Sequence, residues 1–359
     1  MRLSPLALML GVALMSSPCG AQTSATPRPA LGGPLNLSDF GSFFVGGRTV
    51  RSEHPGSPAT GLLEPGNITV DQMYVQYMKP ATVSGPPVVM VHGFNHTGTT
   101  FETTPDGREG WATYFARKGH PVYVVDQPGR GRSGFDPTSF NRAKNTGDAS
   151  AIQNVPLYPL KSAWVNFRFG KEYPTPFPGM KFPLEALDTY TKQLVPSAES
   201  TLQGGVAVAP EDLALLLDRI GPAVMLGHSQ ASAMVIAAIK KRPALTAAFV
   251  SVEGDCVPVT QDDGGKVFGE VPILSVFGDN SVGAAGFNGD ARRQGCVDAV
   301  KFARERGGKA EFTLLSEHGM PGHTHMMMMD QGNLAIADLI IAWIQKSGAE
   351  RYAALTKPR

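Results

Sequence analysis

The sequence lacks an excess of charge of either sign, since 32 lysine and arginine residues are balanced by 31 aspartate and glutamate residues, for a net charge of +1. No basic block and no internal repeat occurs along the chain. A chain without a strongly positive region gives no electrostatic basis for binding nucleic acid or acidic membranes. The hydrophobic content of 42% and the charged content of 18% are typical of a globular protein and argue against a disordered one.

Long hydrophobic runs are also scarce, and the apolar run Leu6–Met15 at the N-terminus stands alone. A basic start precedes it and the small-residue stretch SSPCGAQ follows, an order typical of a secretory signal peptide and too short to span a bilayer. We therefore predict a signal peptide over residues 1–21, cleaved after Ala21, and a secreted or periplasmic protein with no membrane association after cleavage. The alternatives are an apolar helix of the fold, or a lipid anchor at Cys19, which Pro18 disfavours.

Cysteine is rare, with 3 residues in the chain, and cleavage of the predicted leader would remove Cys19. Cys256 and Cys296 then remain, an even pair in a protein exported to an oxidising compartment. This pair is consistent with one disulfide, and two free buried thiols are the alternative.

Short apolar runs indicate the fold class. The segment Ile68–Met78 alternates apolar and polar residues, which predicts a half-buried strand. Continuous apolar runs bounded by glycine or proline are typical of strands buried on both faces of a parallel sheet. These runs are Pro86–Gly93, His120–Gly129, Pro222–Ser229, Ala247–Gly254, Val271–Asp279 and Ala310–Glu317.

Helical patterns lie between several of these runs. Such alternation of strands and helices predicts an α/β fold, a mostly parallel twisted sheet flanked by helices, with ligands bound beyond the carboxyl ends of the strands. The predicted helices are Glu109–Gly119, Ala231–Pro243, Ala291–Gly308 and Asn333–Gly348.

The organisation around this core follows from composition. Residues 22–45 are rich in serine, threonine, proline and glycine, which predicts a mobile N-terminal segment. Residues 134–204 contain aromatic residues and prolines without a clear strand–helix unit, and we predict a cap inserted over the carboxyl ends of the strands. A peripheral excursion away from the substrate is the alternative. The core then comprises 46–133 and 205–350, followed by a tail at 351–359.

The stretch GHSQAS places Ser229 between a predicted strand and a predicted helix. A serine on such a turn, with small residues on either side, is the nucleophile elbow of the pattern G-x-S-x-G. Gly227 and Ala231 occupy the small positions, so the match is near but incomplete. The helix N-terminus behind the turn favours a developing anion. An N-capping serine without chemistry is the alternative.

A serine nucleophile needs a histidine base and an acid that orients it, in the chain order Ser, acid, His. His318, His323 and His325 precede the last predicted helix, and we favour His325, with His323 next. The His-x-His beside four methionines also suggests a soft copper site, but no cluster of cysteine or carboxylate lies near it in the sequence, so we predict no metal. Spacing leaves both Glu253 and Asp279 open as the acid.

The oxyanion requires backbone donors. One is predicted at Gln230, the residue after the nucleophile. The other is predicted at Phe94, since Gly93 lets the chain turn after an early strand. The glycine spacing in DQPGRGRSG (Asp126–Gly134) resembles a dinucleotide loop, but no helix opens from it and no acid ends a following strand, so we predict no cofactor.

The motifs HG-x(4)-G, D-x-x-G-x-G-x-S, G-H-S-x-A and the late histidine resemble those of the α/β-hydrolase family, most members of which use the later acid, here Asp279. The blocks ETTPDGREGW, GHSQAS, SVEGDC and HTHMMMMDQGNL further resemble a group of secreted bacterial carboxylesterases. That closer resemblance implies Glu253 as the acid, His325 as the base and a disulfide between Cys256 and Cys296. It also reveals a departure, because the group's type member has two consecutive cysteines where this chain has Phe94 and Asn95.

The expectation is therefore a secreted serine hydrolase that cleaves small-molecule carboxylic esters through an acyl-enzyme, with Ser229, His325 and Glu253 as the triad. A lactonase, amidase or acyltransferase on the same residues is the nearest alternative. A non-catalytic secreted binding protein of the same fold is the alternative from another class. The oligomeric state is left open, a homodimer among the options.

Overall fold

A computed structural model describes residues 32–53, 64–281 and 289–357. The predicted signal peptide and residues 22–31 of the predicted mobile segment lie outside these residues. Within the described ranges, no helix has the length and apolarity needed to cross a membrane.

One sheet organises the described chain, with the strand order β1-β2-β4-β3-β5-β6-β7-β8. The first strand pairs antiparallel with β2 and β2 pairs antiparallel with β4, while every later pair of neighbours is parallel. The strands are β1 Leu37–Ser52, β2 Gly66–Pro80, β3 Val88–Val91, β4 Val122–Asp126, β5 Ala223–His228, β6 Thr246–Val252, β7 Ile273–Phe277 and β8 Ala310–Leu314.

The central strands coincide with the continuous apolar runs of the sequence. Every residue of β3, β4, β5, β6 and β7 is buried, as expected for parallel strands covered on both faces. The predicted strand Ile68–Met78 lies within β2, where buried residues alternate with less buried ones over much of the strand. The mostly parallel α/β sheet is therefore confirmed.

Two segments that were predicted to flank the core contain regular structure. Residues 37–45 of the predicted mobile segment form the first part of β1, which pairs with β2 along nearly its whole length. Backbone pairing with the neighbouring strand β2 orders residues 37–45. Residues 351–355 of the predicted tail belong to a helix.

Helices cover both faces of the sheet. The apolar core on one face includes side chains from α1 and α9, and the core on the other includes side chains from α5, α6 and α8. The helices are α1 Trp111–Arg117, α2 Thr138–Thr146, α3 Leu160–Asn166, α4 Leu187–Thr191, α5 Val208–Ile220, α6 Ala231–Lys241, α7 Gln261–Lys266, α8 Gly289–Glu305, α9 Asn333–Trp343 and α10 Ala349–Leu355.

The segment 134–204, predicted as a cap, contains the short helices α2, α3 and α4 joined by irregular chain. Its buried aromatic side chains belong to the same apolar cluster as α1 and α9, which explains how so irregular a segment is held in place. These side chains are Trp164, Phe167, Phe169, Phe182 and Tyr190.

Candidate active site

Ser229 stands on the sharp turn between β5 and α6. Its φ of 56° lies in the left-handed region, which is uncommon for a residue with a side chain and concentrates at functional sites. The turn also requires small neighbours. A Cβ at Gly227 would lie 3.0 Å from the backbone of Ser232, and one at Gly93 would lie 2.9 Å from the Cβ of Ser229. Glycine therefore lets the loop after β3 pass directly against the serine.

His325 lies in the loop before α9 and is 2% exposed. Its Nδ1 is 3.2 Å from Oε2 of Glu253. The imidazole stacks on the ring of Phe167 with a centroid separation of 5.9 Å and an angle of 8°. The backbone carbonyl of His325 also contacts Nε2 of His228 at 2.9 Å. The ring is thus fixed both by a carboxylate and by an aromatic side chain from the segment 134–204.

Glu253 follows β6 with a φ of 48°, and its side chain is completely buried. Its Oε1 accepts a hydrogen bond of 2.7 Å from the backbone N–H of Gly278. Burial raises the pKa of Glu253, while the nearby positive charge of Arg168 opposes that rise. The guanidinium of Arg168 contacts both Oε2 of Glu253 and Nδ1 of His325. Burial, followed by the charges of Arg168 and Arg292, holds the pKa of His325 well below its ordinary value.

The other acid and histidines considered from the sequence have different partners. Oδ2 of Asp279 accepts a hydrogen bond of 2.7 Å from the backbone N–H of Gly322, so this carboxylate anchors the loop that leads to His325. Nδ1 of His323 is 3.2 Å from Oδ2 of the buried Asp330. His318 is exposed at the end of a short 3-10 helix. Of the two candidate acids, Glu253 and Asp279, the structure brings Glu253 into contact with His325.

Phe94 and Gln230, the predicted oxyanion donors, both line the cavity that contains Ser229. Gln230 is the N-cap of α6, where the first backbone N–H groups of a helix have no acceptor within it. The side chain of Arg130 joins the two segments, donating to the carbonyl of Gly93 at 2.6 Å and to Oε1 of Gln230 at 2.9 Å. This arginine belongs to the DQPGRGRSG motif, so that motif supports the loop beside the serine.

Asn95 lies on the loop after β3, directly after Phe94. It is completely buried, with a φ of 58°. Its Nδ2 donates to the carbonyls of Pro156 and Val195 at 2.8 and 3.1 Å, and its Oδ1 accepts from the backbone N–H of Tyr158 at 3.0 Å. A hydrogen-bonded asparagine therefore fixes the loop after β3 to the segment 134–204 in this chain.

A cavity of about 150 Å³ opens at the serine. Arg292, near the start of α8, donates from Nη1 to Oγ of Ser229 at 3.1 Å. Sequence reasoning missed this residue, because an arginine within a polar helix carries no local signal. The residues lining the cavity are Phe94, Tyr158, Asn166, Phe167, Ser229, Gln230, Arg292 and His325.

Two further predictions concern sulfur and metal. Cys256 and Cys296 form a disulfide, as predicted. The four methionines at 326–329 are all completely buried in the apolar core. Across residues 32–53, 64–281 and 289–357, no group of three or more His, Cys, Asp and Glu side chains is arranged to hold a metal ion.

The sheet order and the strand–turn–helix carrying Ser229 define the class of protein as an α/β hydrolase. The family model for the alpha/beta hydrolase fold matches residues 86–268, and the chain belongs to this family.

Individual relatives agree with this assignment. A solved structure of a novel bacterial esterase is 37% identical with a TM-score of 0.81, and the match covers 90% of this chain and 100% of that one. The probable secreted lipase phiG of a fungus (Fungal sp., strain ATCC 74256) is 28% identical over 323 residues, covering 76% of this chain and 86% of the lipase. The predicted resemblance to α/β-hydrolase esterases is confirmed.

Proposed function

We propose that this protein is a serine carboxylic ester hydrolase that works through an acyl-enzyme. The observation that carries the proposal is the shared cavity. Ser229 on its left-handed turn and His325 line one cavity, and Glu253 contacts Nδ1 of that histidine. The bacterial esterase and the fungal lipase among the relatives support the same class of reaction.

In the first half of the reaction, Oγ of Ser229 attacks the ester carbonyl and its proton passes to Nε2 of His325. The backbone N–H groups of Phe94 and Gln230 stabilise the oxyanion of the tetrahedral intermediate. The protonated imidazole then gives its proton to the leaving alcohol. In the second half, His325 removes a proton from water, which attacks the carbonyl of the acyl-enzyme. The bond between that carbonyl carbon and Oγ of Ser229 then breaks, His325 returns the proton to Oγ, and the acid is released.

Glu253 orients the histidine in this scheme. Nδ1 of His325 faces both Oε2 of Glu253 and the guanidinium of Arg168. In this scheme Nδ1 carries the proton and donates it to Glu253 rather than accepting from Arg168. That tautomer leaves Nε2 as the proton acceptor, and the carboxylate of Glu253 stabilises the imidazolium that forms. Arg168 favours the ionised form of Glu253, because a cation beside a buried carboxylate opposes the effect of burial on its pKa. We assign Arg168 as a positioning residue.

The deciding experiment is Ser229→Ala with p-nitrophenyl butyrate as substrate and a fluorophosphonate as an active-site label. We expect turnover to fall by about 10³-fold or more, and the label to be lost. Ser232→Ala is the matched control from the same stretch. The Ser232 hydroxyl donates to the carbonyl of Gly227 at 2.9 Å, so its loss affects stability while labelling persists. Near-normal turnover in the Ser229→Ala variant would refute the proposed nucleophile.

We further propose that the segment 134–204 caps the site and that the mature protein is exported. Tyr158, Asn166 and Phe167 of this segment line the cavity, which supports the cap. The N-terminal sequence layout, the disulfide and the relative that is a probable secreted lipase support export. N-terminal sequencing of protein recovered outside the cytoplasm should give a chain that starts at Gln22. A mature chain that retains its first residues would contradict the predicted cleavage.

A further inference from the structure

We infer that the site prefers esters that carry a carboxylate a few carbons from the scissile carbonyl, with Arg292 binding that carboxylate. This inference rests on the proposed function, since it names the substrate class of the same site. The monoesters of short dicarboxylic acids, of which monomethyl glutarate is an example, have this chemistry.

The position of Arg292 is the first argument. Its Nη1 donates to Oγ of Ser229 at 3.1 Å, so a guanidinium lies within one hydrogen bond of the proposed nucleophile. An acyl group bonded to Ser229 must therefore extend past this cation or displace it from the serine. A guanidinium is always charged near neutral pH and matches a carboxylate with two parallel hydrogen bonds.

Charge balance is the second argument. Two guanidinium groups, those of Arg168 and Arg292, lie at the site, while Glu253 contacts both Arg168 and His325. Burial and the neighbouring cation Arg168 lower the pKa of Arg292, and the carboxylates of Asp255 and Glu253 only partly offset this. A carboxylate from the substrate would add a favourable charge interaction with this guanidinium.

The remaining wall of the cavity sets the size of the acyl group. Phe94, Tyr158 and Phe167 supply aromatic surface, and the volume of about 150 Å³ is small. A cavity of about this volume accommodates a molecule the size of benzene. A short aliphatic chain between the ester carbonyl and the carboxylate fits both this size and these apolar walls.

A disulfide anchors the helix that carries Arg292. Arg292 lies four residues, about one helical turn, before Cys296 on α8, and Cys296 is joined to Cys256. The disulfide therefore ties the helix that carries the guanidinium to the chain after β6, close to Glu253. An arginine fixed in this way loses less conformational freedom when it binds an anion than a mobile surface arginine does.

The test compares two nearly isosteric esters, monomethyl glutarate and its neutral amide analogue methyl 4-carbamoylbutanoate, in wild type and in Arg292→Gln, with hydrolysis followed in a pH-stat. We expect wild type to favour the carboxylate ester by about tenfold or more in kcat/KM. One hydrogen-bonded pair of charged groups provides a difference in binding free energy of this size. Arg292→Gln should remove most of that preference, and Arg292→Lys should retain part of it. Arg293→Gln, which changes charge at the adjacent residue, is the control and should keep the full preference.

Glutarate binding separates failure of this inference from failure of the proposed function. In the Ser229→Ala protein, which cannot form an acyl-enzyme, glutarate should bind and its Kd should rise about tenfold with Arg292→Gln. If Arg292→Gln lowers kcat/KM for both esters equally and leaves the glutarate Kd unchanged, Arg292 acts on the reaction in general and the inference is overturned. If wild type hydrolyses neither ester, the proposed function is in question, and the dependence of glutarate binding on Arg292 still decides the anion site.

Discussion

The guanidinium of Arg130 and the carboxylate of Glu199 form an ion pair in which Nη2 lies 2.5 Å from Oε1, with the arginine side chain completely buried. The same arginine donates to the carbonyl of Gly93 and to the side chain of Gln230. The pair therefore connects the segment 134–204, which supplies Glu199, to both segments that we propose as oxyanion donors.

Glu199→Gln should lower kcat with little change in KM. The substitution keeps the shape of the side chain but leaves Arg130 buried without its counter-ion, which we expect to destabilise the fold by about 3–5 kcal/mol. Because the oxyanion forms only after attack, misplaced donors slow the chemical step more than substrate binding. Steady-state kinetics and the rate of fluorophosphonate inactivation measure this effect below the melting temperature. Glu185→Gln, an exposed carboxylate in the same segment, is the control.

Substitution of the two acids distinguishes Glu253 from Asp279. Glu253→Gln should reduce kcat by about 10³- to 10⁴-fold, since an amide at this position favours the wrong tautomer of His325. Asp279→Asn should reduce kcat much less. Its effect should come from a less well anchored loop at Gly322, to which Asp279 is hydrogen-bonded. Turnover of p-nitrophenyl butyrate by the two variants gives the comparison. A larger loss in Asp279→Asn would show that the acid was assigned to the wrong strand end.

These two acids also show where sequence reasoning reaches its limit. The strand ends themselves were predictable, because β6 and β7 are buried on both faces and their sequences are continuously apolar. Both acids follow neighbouring parallel strands at the same edge of the sheet, so chain order leaves them equivalent. The direction of each side chain separates them. The left-handed backbone at Glu253 accompanies contact with His325, whereas Asp279 faces Gly322.

The arginines were not predictable for a related reason. Arg168 is 85 residues from Glu253 and 157 from His325, and Arg130 is 100 residues from Gln230. Contacts over such separations depend on how the whole chain folds, and no local pattern marks them. Arg292 and Arg293 are identical neighbours in the sequence, yet the structure places the guanidinium of Arg292 on the serine.

The pH profile of activity should reflect the cations near His325. Burial and the charges of Arg168 and Arg292 lower the pKa of His325, so the neutral base persists below the ordinary histidine pKa of 6.5. The acidic limb of kcat/KM for a neutral ester should therefore lie below pH 6.5. Arg292→Gln removes one nearby positive charge, which should raise the pKa of His325 and move this limb to higher pH. Arg293→Gln should leave the limb in place, and a limb that moves equally in both variants would contradict the local effect.

Removal of the disulfide should affect both stability and substrate preference. The bond between Cys256 and Cys296 closes a loop with a sequence separation of 40, for which loss of the cross-link is expected to lower the free energy of unfolding by about 4 kcal/mol. The double variant Cys256→Ala/Cys296→Ala avoids leaving a free thiol and allows denaturant unfolding to measure the change. Because Arg292 lies one turn before Cys296, the preference for monomethyl glutarate should also weaken. A variant with reduced stability and an unchanged preference would show that α8 holds Arg292 without the bond.

Stability at alkaline pH should depend on Asp212, a buried carboxylate of α5. Burial, the charge of Asp71 and the charge of Glu211 raise its pKa from 3.8 to about 8. Between these two values the folded state keeps a proton that the unfolded state has released, so this group makes stability fall as pH rises towards 8. The backbone of β1 packs tightly against this carboxylate, since a Cβ at Gly46 would lie 1.9 Å from Oδ1 of Asp212.

Asp212→Asn removes this titration. The melting temperature of the variant relative to wild type should rise steadily from about pH 4 to pH 8 and then stay constant, since above the folded pKa both states of wild type are ionised. Asp218→Asn on the same helix is the control. Asp218 is exposed and bonded to Arg242, which lowers the pKa of Asp218, so its loss should not stabilise the protein at alkaline pH. A difference between Asp212→Asn and wild type that does not grow between pH 5 and pH 9 would mean that Asp212 is ionised in the folded protein throughout this range.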